Sequence, residues 1–335
     1  MSTMIRANLT LTKVLVGQQY KLKIFTWHIH GSYLFYLSHG NYDLYIPVNE
    51  EKTEGYYGRG NTYPFAGNVI EVPEEQVREM DFDIILFQTD ENYLIDQYRT
   101  LSDRQRALPK IYLEHDPPWE HPTDAVHPVT DPSVIVVHVT HFNRLMWDNR
   151  NLRTVVIEHG VTVPEIDPNI EKIDRGIVVI NNLPKRGRLL GLDIFEQVRK
   201  ELPIDLVGMG AEQYGIGEVL HPELPAFISQ YRFCFNPIRY TSLGLAVCET
   251  MMLGLPIVGL ATTELAVTIK NDFTGHIHTN INYLIEKMIY LLDHPDKAAE
   301  MGSNAKIDAI KLFDIHRFTE EWEALFQRVT NRNHK

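Results

Sequence analysis

The feature that most constrains this chain is a series of short apolar runs that are continuous instead of alternating. In the first half they are KLKIFTWH (21–28), YDLYIPV (42–48), FDIILFQ (82–88), PKIYLEH (109–115), SVIVVHVT (133–140) and LRTVVIEH (152–159). A strand with one wet face alternates apolar and polar residues. A continuous β-branched run must be buried on both faces, as in a parallel sheet covered by helices. PEEQVREM (73–80) and NYLIDQYRTLSDRQRA (92–107) carry helical patterns between the runs. Strands alternating with helices predict α/β architecture. The stretch VTVPEIDPNIEKIDRG (161–176), with two prolines and many charges, reads as a linker.

The theme then repeats. GIVVINN (176–182), IDLVGMG (204–210), RFCFNPI (232–238) and PIVGL (256–260) read as strands. LGLDIFEQVRKEL (190–202), PELPAFISQY (222–231), SLGLAVCETMMLG (242–254), TELAVTIKN (263–271), NYLIEKMIYLLDHPD (282–296) and residues 298–328 read as helices. The expected fold is two doubly wound α/β domains, 1–165 and 166–312, followed by a helical segment, 313–335. Ligands of such sheets bind beyond the carboxyl ends of the strands, so the cleft between the domains is the expected site.

Charge narrows the function. Lys plus Arg number 32 and Asp plus Glu 44, a formal net charge of -12. A nucleic-acid binder would show a basic footprint, so nucleic acid is not expected as a partner. Cys234 and Cys248 lie in apolar runs and read as core residues. No window is long and apolar enough for a transmembrane helix. The segment MSTMIRANLTLTK lacks the apolar stretch of a signal peptide. A cytoplasmic protein is expected, with peripheral contact at the inner face of a membrane left open.

Residues 234–275 carry most of the chemistry. A strand ends near Ile238, and the small polar loop Tyr240-Thr241-Ser242-Leu243-Gly244 opens a helix. A helix start offers free N–H groups and a positive dipole end, which suit a diphosphate. Gly244 lets a ligand approach the backbone. Two turns later Glu249 is a lone carboxylate in an apolar helix, suited to accepting bonds from ligand hydroxyls in a cleft. The alternative places it on the solvent side. A basic loop holding Lys185, Arg186 and Arg188 follows another strand end and suits phosphate. Arg186 is favoured among the three, against the alternative of a solvated loop. Gly208-Met209-Gly210 lacks the third glycine of a dinucleotide fingerprint, because Gln213 takes that place.

In the first half, Trp27-His28-Ile29-His30-Gly31-Ser32-Tyr33 follows the first strand. His28 and His30 share a face if the strand continues, yet no further ligands can be assigned, so no metal is expected. Leu113-Glu114-His115-Asp116-Pro117-Pro118-Trp119 closes another strand. Asp81-Phe82-Asp83 resembles a metal motif but precedes its strand. His138 and His141 either line the cleft or cap a core strand. The long loop Asn49–Asn68, rich in Gly and Tyr, reads as a lid.

The order Ser-Leu-Gly-Leu-Ala-Val-Cys-Glu (242–249), Gly-Leu-Pro-Ile-Val-Gly (254–259), Thr-Glu-Leu (263–265) and Asp-Phe-Thr-Gly (272–275) resembles retaining glycosyltransferases of the GT-B fold, family 4. The resemblance covers most of the chain in layout, and its motifs are specific over roughly 176–275. It implies two Rossmann-like domains facing across a cleft, and transfer from a nucleoside-diphosphate sugar to a glycan or lipid-linked acceptor. It implies no cofactor beyond the donor and no obligatory metal. Family members hold the donor ribose with a Glu whose match is Glu249, and contact the donor sugar with an earlier Glu whose place here is Thr241. That substitution is a departure, and Thr241 or Ser242 would then bond a sugar hydroxyl. The resemblance further implies that Gly31 and Ser32 lie near the donor phosphates, and that Gly208 and Gly210 line the nucleotide pocket. Thr263 belongs to the loop approaching the donor, Arg186 and Lys185 stabilise the leaving group, and His115 meets the sugar's 6-hydroxyl. Glu158-His159-Gly160-Val161 is the hinge, braced by the helix containing Trp322 and Phe326. Two rivals follow. One is a non-catalytic nucleotide- or glycan-binding member, favoured by Thr241. The other is an enzyme of another class, such as a sugar-nucleotide epimerase.

Overall fold

The computed structural model describes residues 20–167 and 169–331; the segment MSTMIRANLTLTK lies outside them. Seven parallel strands form the first sheet: β1 (Lys23–Thr26), β2 (Asp43–Val48), β3 (Val69–Pro73), β4 (Ile84–Phe87), β5 (Lys110–Glu114), β6 (Ile135–His138) and β7 (Arg153–Val156). Their order is β3-β2-β1-β4-β5-β6-β7. The second sheet has five parallel strands: β8 (Gly176–Val179), β9 (Ile204–Val207), β10 (Phe233–Asn236), β11 (Ile257–Leu260) and β12 (Gly275–His278). Their order is β12-β11-β10-β8-β9. Central β4 and β6 are buried at every position, which is why their sequences are continuous apolar runs.

Two strands have no counterpart among the expected runs, β3 (VIEVP) and β12 (GHIH). Both lie at sheet edges, where polar residues and a proline are tolerated. The expected helix 73–80 is a 3-10 turn, Glu74–Glu79. The expected helix 92–107 breaks before Asp103–Arg106. Ser102 accepts from the Gln105 backbone N–H while the Gln105 side chain accepts from the Ser102 N–H, and this capping box starts a new helix inside the periodic pattern.

Residues 298–328 also divide, into Pro295–Leu312 and Ile315–Asn331. The carboxylate of Asp314 accepts from the N–H groups of His316 (2.6 Å) and Arg317 (3.0 Å) and so restarts the chain in a new direction. Helix Ile315–Asn331 lies on the first sheet's side of the molecule. Its Phe318, Trp322 and Phe326 are fully buried, and Trp322 Nε1 donates to the Tyr33 hydroxyl at 3.2 Å. Arg317 donates to the carbonyl of His159 at 2.6 Å, where the chain leaves the first sheet. One buried cluster runs from the first sheet through these aromatics to Leu243, Val247 and Cys248, so the two units share a core. Cys234 and Cys248 are both buried free thiols. The loop 49–68 is packed, with Tyr56 and Phe65 buried and His28 Nδ1 2.6 Å from the Gly58 carbonyl. Among the described residues no helix is long and apolar enough to cross a membrane.

Candidate functional site

Strand order reverses between β1 and β4 in the first sheet and between β8 and β10 in the second. Loops leaving such strands splay apart and leave a crevice for ligands. Here the two crevices face each other and form one cleft of about 350 Å³. It is lined by His30, Ser32, His115, Asp116 and His159 from the first unit, and by Asn181, Arg186, Gly208, Thr241, Ser242, Leu243, Gly244 and Glu249 from the second.

On the second unit's side, the chain leaving β10 reaches helix Leu245–Met252, with Gly244 in the capping position. No side chain caps this helix, so its first N–H groups are free to bind an anion. A Cβ built on Gly244 would meet nothing within 4 Å, which leaves the backbone bare to the cleft. Ser242 Oγ is buried there without a partner. Arg186 ends helix Leu183–Arg186 and lays its guanidinium 5.1 Å from the Trp119 ring centre, across the cleft. Gly208 has φ +147°, and a Cβ there would sit 2.4 Å from the Ile180 carbonyl oxygen, so only glycine fits. Glu249 accepts a hydrogen bond from the Tyr36 hydroxyl of the first unit (2.8 Å) and lies 3.6 Å from His221 Nε2.

The first unit's side carries imidazoles, and among the described residues none of its Lys or Arg side chains lines the cleft. His30 and His115 rings are 3.9 Å apart between centres. Burial, with Arg186 nearby, holds His30 down at about 4, and burial next to His30 and His159 holds His115 well below the ordinary imidazole range. Both rings are therefore neutral near pH 7. His115 Nε2 lies 3.2 Å from Gln88 Oε1, and the Gln88 amide donates to the Trp27 carbonyl (2.6 Å). That chain orients the His115 ring. Asp116 is pushed up to about 7 by burial and by Glu114, with Arg186 acting the other way. Glu114 itself is pushed up to about 8 by burial. The strand-end loop is pinned by Asp116 N–H to Glu114 (3.0 Å), Trp147 Nε1 to the Asp116 carbonyl (2.8 Å) and the Asn143 amide to the His115 carbonyl (3.0 Å). His159 Nε2 lies 2.8 Å from the Leu243 carbonyl and ties the two units together at the crossing.

Five residues expected near the donor lie outside this lining: Gly31, Lys185, Arg188, Gly210 and Thr263. Gly31 is covered, because a Cβ there would stand 2.4 Å from Tyr63 Cε2. Arg188 turns away to pair with Asp193, which also accepts from Arg239 Nη1 at 2.7 Å. A Cβ on Gly210 would meet the Asn182 side chain at 2.7 Å. Thr263 adopts φ +52° beside β11. His28 bonds the loop carbonyl of Gly58 and so parts from His30. His138 is buried against Asn149 at 2.9 Å. Asp81 pairs with Arg104 (2.8 Å) and Asp83 accepts from the Lys23 N–H (2.7 Å), so both serve the fold. Among the described residues no group of three His, Cys, Asp or Glu is placed to hold a metal.

Sequence reasoning missed Tyr36, Tyr63, His221 and the role of Glu264. The Glu264 carboxylate accepts from the Phe142 N–H at 2.7 Å and so serves a helix of the other unit, His141–Met146. These partners come from distant sequence, and no local pattern marks them.

Residues 191–308 match the sequence model of the family described as Glycosyl transferases group 1. The trehalose synthase of Pyrococcus horikoshii is 37% identical over 79 residues, 24% of this chain and 19% of that protein. The chain thus matches about a fifth of that relative's length. Among solved structures, sucrose-phosphate synthase from Thermosynechococcus elongatus superposes with a TM-score of 0.66 at 13% identity, covering 93% of this chain and 100% of that one. Anabaena HepE in complex with UDP-glucose gives 0.63 at 12%, covering 92% and 100%. The second unit carries a Glycosyl transferases group 1 domain, and the pair of parallel-sheet units has the GT-B fold.

Proposed function

We propose that this chain is a retaining glycosyltransferase that moves a sugar from a nucleoside-diphosphate sugar to a glycan or lipid-linked acceptor. The observation that carries the reading is the uncapped helix start at Gly244, bare to the cleft that Arg186 also lines. Amides at a helix start and a guanidinium are what a diphosphate leaving group needs, because charge develops on it as its bond to the sugar breaks. In this reading the diphosphate sits on the amides after Thr241 and on Arg186, with Lys185 and Arg188 in the outer field. Glu249 takes the ribose hydroxyls, and neutral His115 meets a sugar hydroxyl.

The bond from the sugar's anomeric carbon to the diphosphate breaks, and the bond to the acceptor oxygen forms on the same face. The acceptor proton passes to the departing phosphate oxygen. No protein nucleophile, metal or further cofactor enters the scheme, and the cytoplasm is the proposed compartment. Domain limits of 1–165 and 166–312, with 313–335 returning to the first unit, are part of the proposal. UDP is the first nucleotide to try, because HepE was solved with UDP-glucose.

The test is thermal stability with UDP, GDP, ADP and NAD, repeated for the best ligand on Glu249→Ala. A ligand at ~100 times its Kd adds about 2.7 kcal/mol. A shift with one nucleoside diphosphate, lost in the variant, supports the reading; a shift with NAD alone, or with none, sinks it. Thr241, where the resembling family has a carboxylate, favours a second reading as a nucleotide-binding protein without turnover. Binding without donor hydrolysis or transfer would select that one.

A further inference from the structure

We infer that Tyr36 is a positioning residue for the donor site: its hydroxyl, carried by the first unit, sets the Glu249 carboxylate of the second. The inference rests on the reading of Glu249 as the ribose-binding group. Tyr36 OH donates to Glu249 Oε1 at 2.8 Å, and the two residues are 213 positions apart. Tyr36 is buried on helix Gly31–Leu37, and its hydroxyl proton is held firmly, because burial and the adjacent carboxylate both raise its pKa. It does not line the main cleft, although Glu249 does. Instead Tyr36 borders a second, small cavity of about 50 Å³ on another side of Glu249, together with Thr162, Pro164 and Leu224. The tyrosine therefore grips the carboxylate from behind.

A carboxylate has two oxygens and roughly four acceptor directions, so a bond to Oε1 leaves Oε2 for a ligand. His221 lies beside the same oxygen, its Nε2 3.6 Å from Oε1, and its ring packs on Tyr63 at 4.9 Å between centres. Tyr63 comes from the first unit and covers Gly31. One aromatic side chain of the first unit thus holds the ribose group of the second directly, and another packs on the imidazole beside it. The nucleotide site is complete only when the units are closed as they are here. Hydrogen-bond networks of this kind fix a carboxylate's rotamer, and a loosely held group binds worse than a preorganised one.

The experiment is a double-mutant cycle read by UDP affinity, using wild type, Tyr36→Phe, Glu249→Ala and the double variant. Tyr36→Phe removes one hydroxyl and keeps the ring, and its melting temperature without ligand checks the fold. A bond to a charged group predicts UDP binding roughly tenfold weaker in Tyr36→Phe. In the Glu249→Ala background the same change should have no effect on UDP affinity, because the hydroxyl acts through that carboxylate. A tyrosine that only packs would leave UDP affinity unmoved, or would weaken it equally in both backgrounds; either result overturns the inference. Glu249→Gln provides a second handle if Tyr36→Phe is unstable. Its side-chain oxygen still accepts from Tyr36, so it should retain more UDP affinity than Glu249→Ala, and equal affinities would count against the inference. If neither UDP, GDP nor ADP binds wild type, the donor-site reading and this inference both fall. If a nucleotide binds in a Glu249-dependent way and Tyr36→Phe changes nothing, the donor site stands and only Tyr36 is wrong.

Discussion

Gly31 and Gly244 occupy matching places in the two units. Each stands where a helix begins after a strand at the switch point of its own sheet. Beyond that they differ. A Cβ on Gly31 would collide with Tyr63, whereas one on Gly244 would meet open cleft. The first helix start is closed by protein, and the second is open to the cleft. The neighbouring side chains agree, with neutral imidazoles on one side and a guanidinium with free amides on the other. In the proposed function the two similar folds divide the work: the second side holds the diphosphate and ribose, and the neutral imidazoles of the first meet the sugar.

The sharpest way to break this contrast is Arg186→Ala. If the guanidinium supports a leaving diphosphate, turnover should fall by about 10²–10³, the range seen when one donor to a developing charge is lost. Steady-state kinetics with a donor sugar would decide, and a loss below tenfold would count against a charged second side. The paired change Gly31→Val and Gly244→Val comes next. Overpacking against Tyr63 should cost the first variant about 1–3 kcal/mol in urea unfolding. The second should stay within about 0.5 kcal/mol of wild type and lose nucleotide affinity. Equal stabilities would remove the difference between the two helix starts.

Titration sharpens the contrast further, because buried imidazoles and carboxyls of the first unit are strongly shifted. His30, His127, His138 and His159 are held near 4 by burial and His115 well below its ordinary range, while burial pushes Asp116 to about 7 and Glu114 to about 8. Free histidine titrates at about 6.5, so between pH 6.5 and 4 the unfolded chain takes up protons that these folded imidazoles refuse. Stability from them is present above 6.5 and is lost as pH falls to 4. The two carboxyls have the opposite sign: folded they keep their protons, so their contribution is fullest below about pH 4 and erodes as pH rises to 8. Five imidazoles outweigh two carboxyls in the lower window, and the carboxyls act alone above it. The melting temperature should therefore peak near pH 6–7 and decline on both sides, and a profile flat from pH 4.5 to 8 would contradict the burial described. The smallest effect belongs to Arg188→Ala. Its pairing with Asp193 is exposed, so less than about 1 kcal/mol of stability and little change in turnover are expected.

The two-sheet α/β fold was legible because most strands are buried on both faces and so carry continuous apolar runs, as in β4 and β6. β3 and β12 were not, because a glutamate and a proline in VIEVP and two histidines in GHIH break up their apolar residues. At the site, the Gly244 loop, Arg186 and Glu249 could be read because a glycine-led helix start, a cation at a strand end and a lone carboxylate in an apolar helix are local signals. Tyr36, Tyr63 and His221 gave none, because each matters only through residues that the fold brings from distant sequence. Gly31 shows the reverse error. Its local signal matches that of Gly244, and only tertiary packing by Tyr63 separates them.

The return of helix Ile315–Asn331 to the first unit bears on how the chain is made. Phe318, Trp322 and Phe326 belong to the core that holds Tyr33 and Tyr42. During synthesis the seven strands of the first sheet emerge early, yet this part of their core stays unfilled until residues 315–331 leave the ribosome. The second unit, whose strands and nearest helices lie between residues 176 and 312, has its own elements in hand sooner. Domains usually fold in the order in which they emerge; here the earlier-made half finishes last, with apolar surface exposed while it waits.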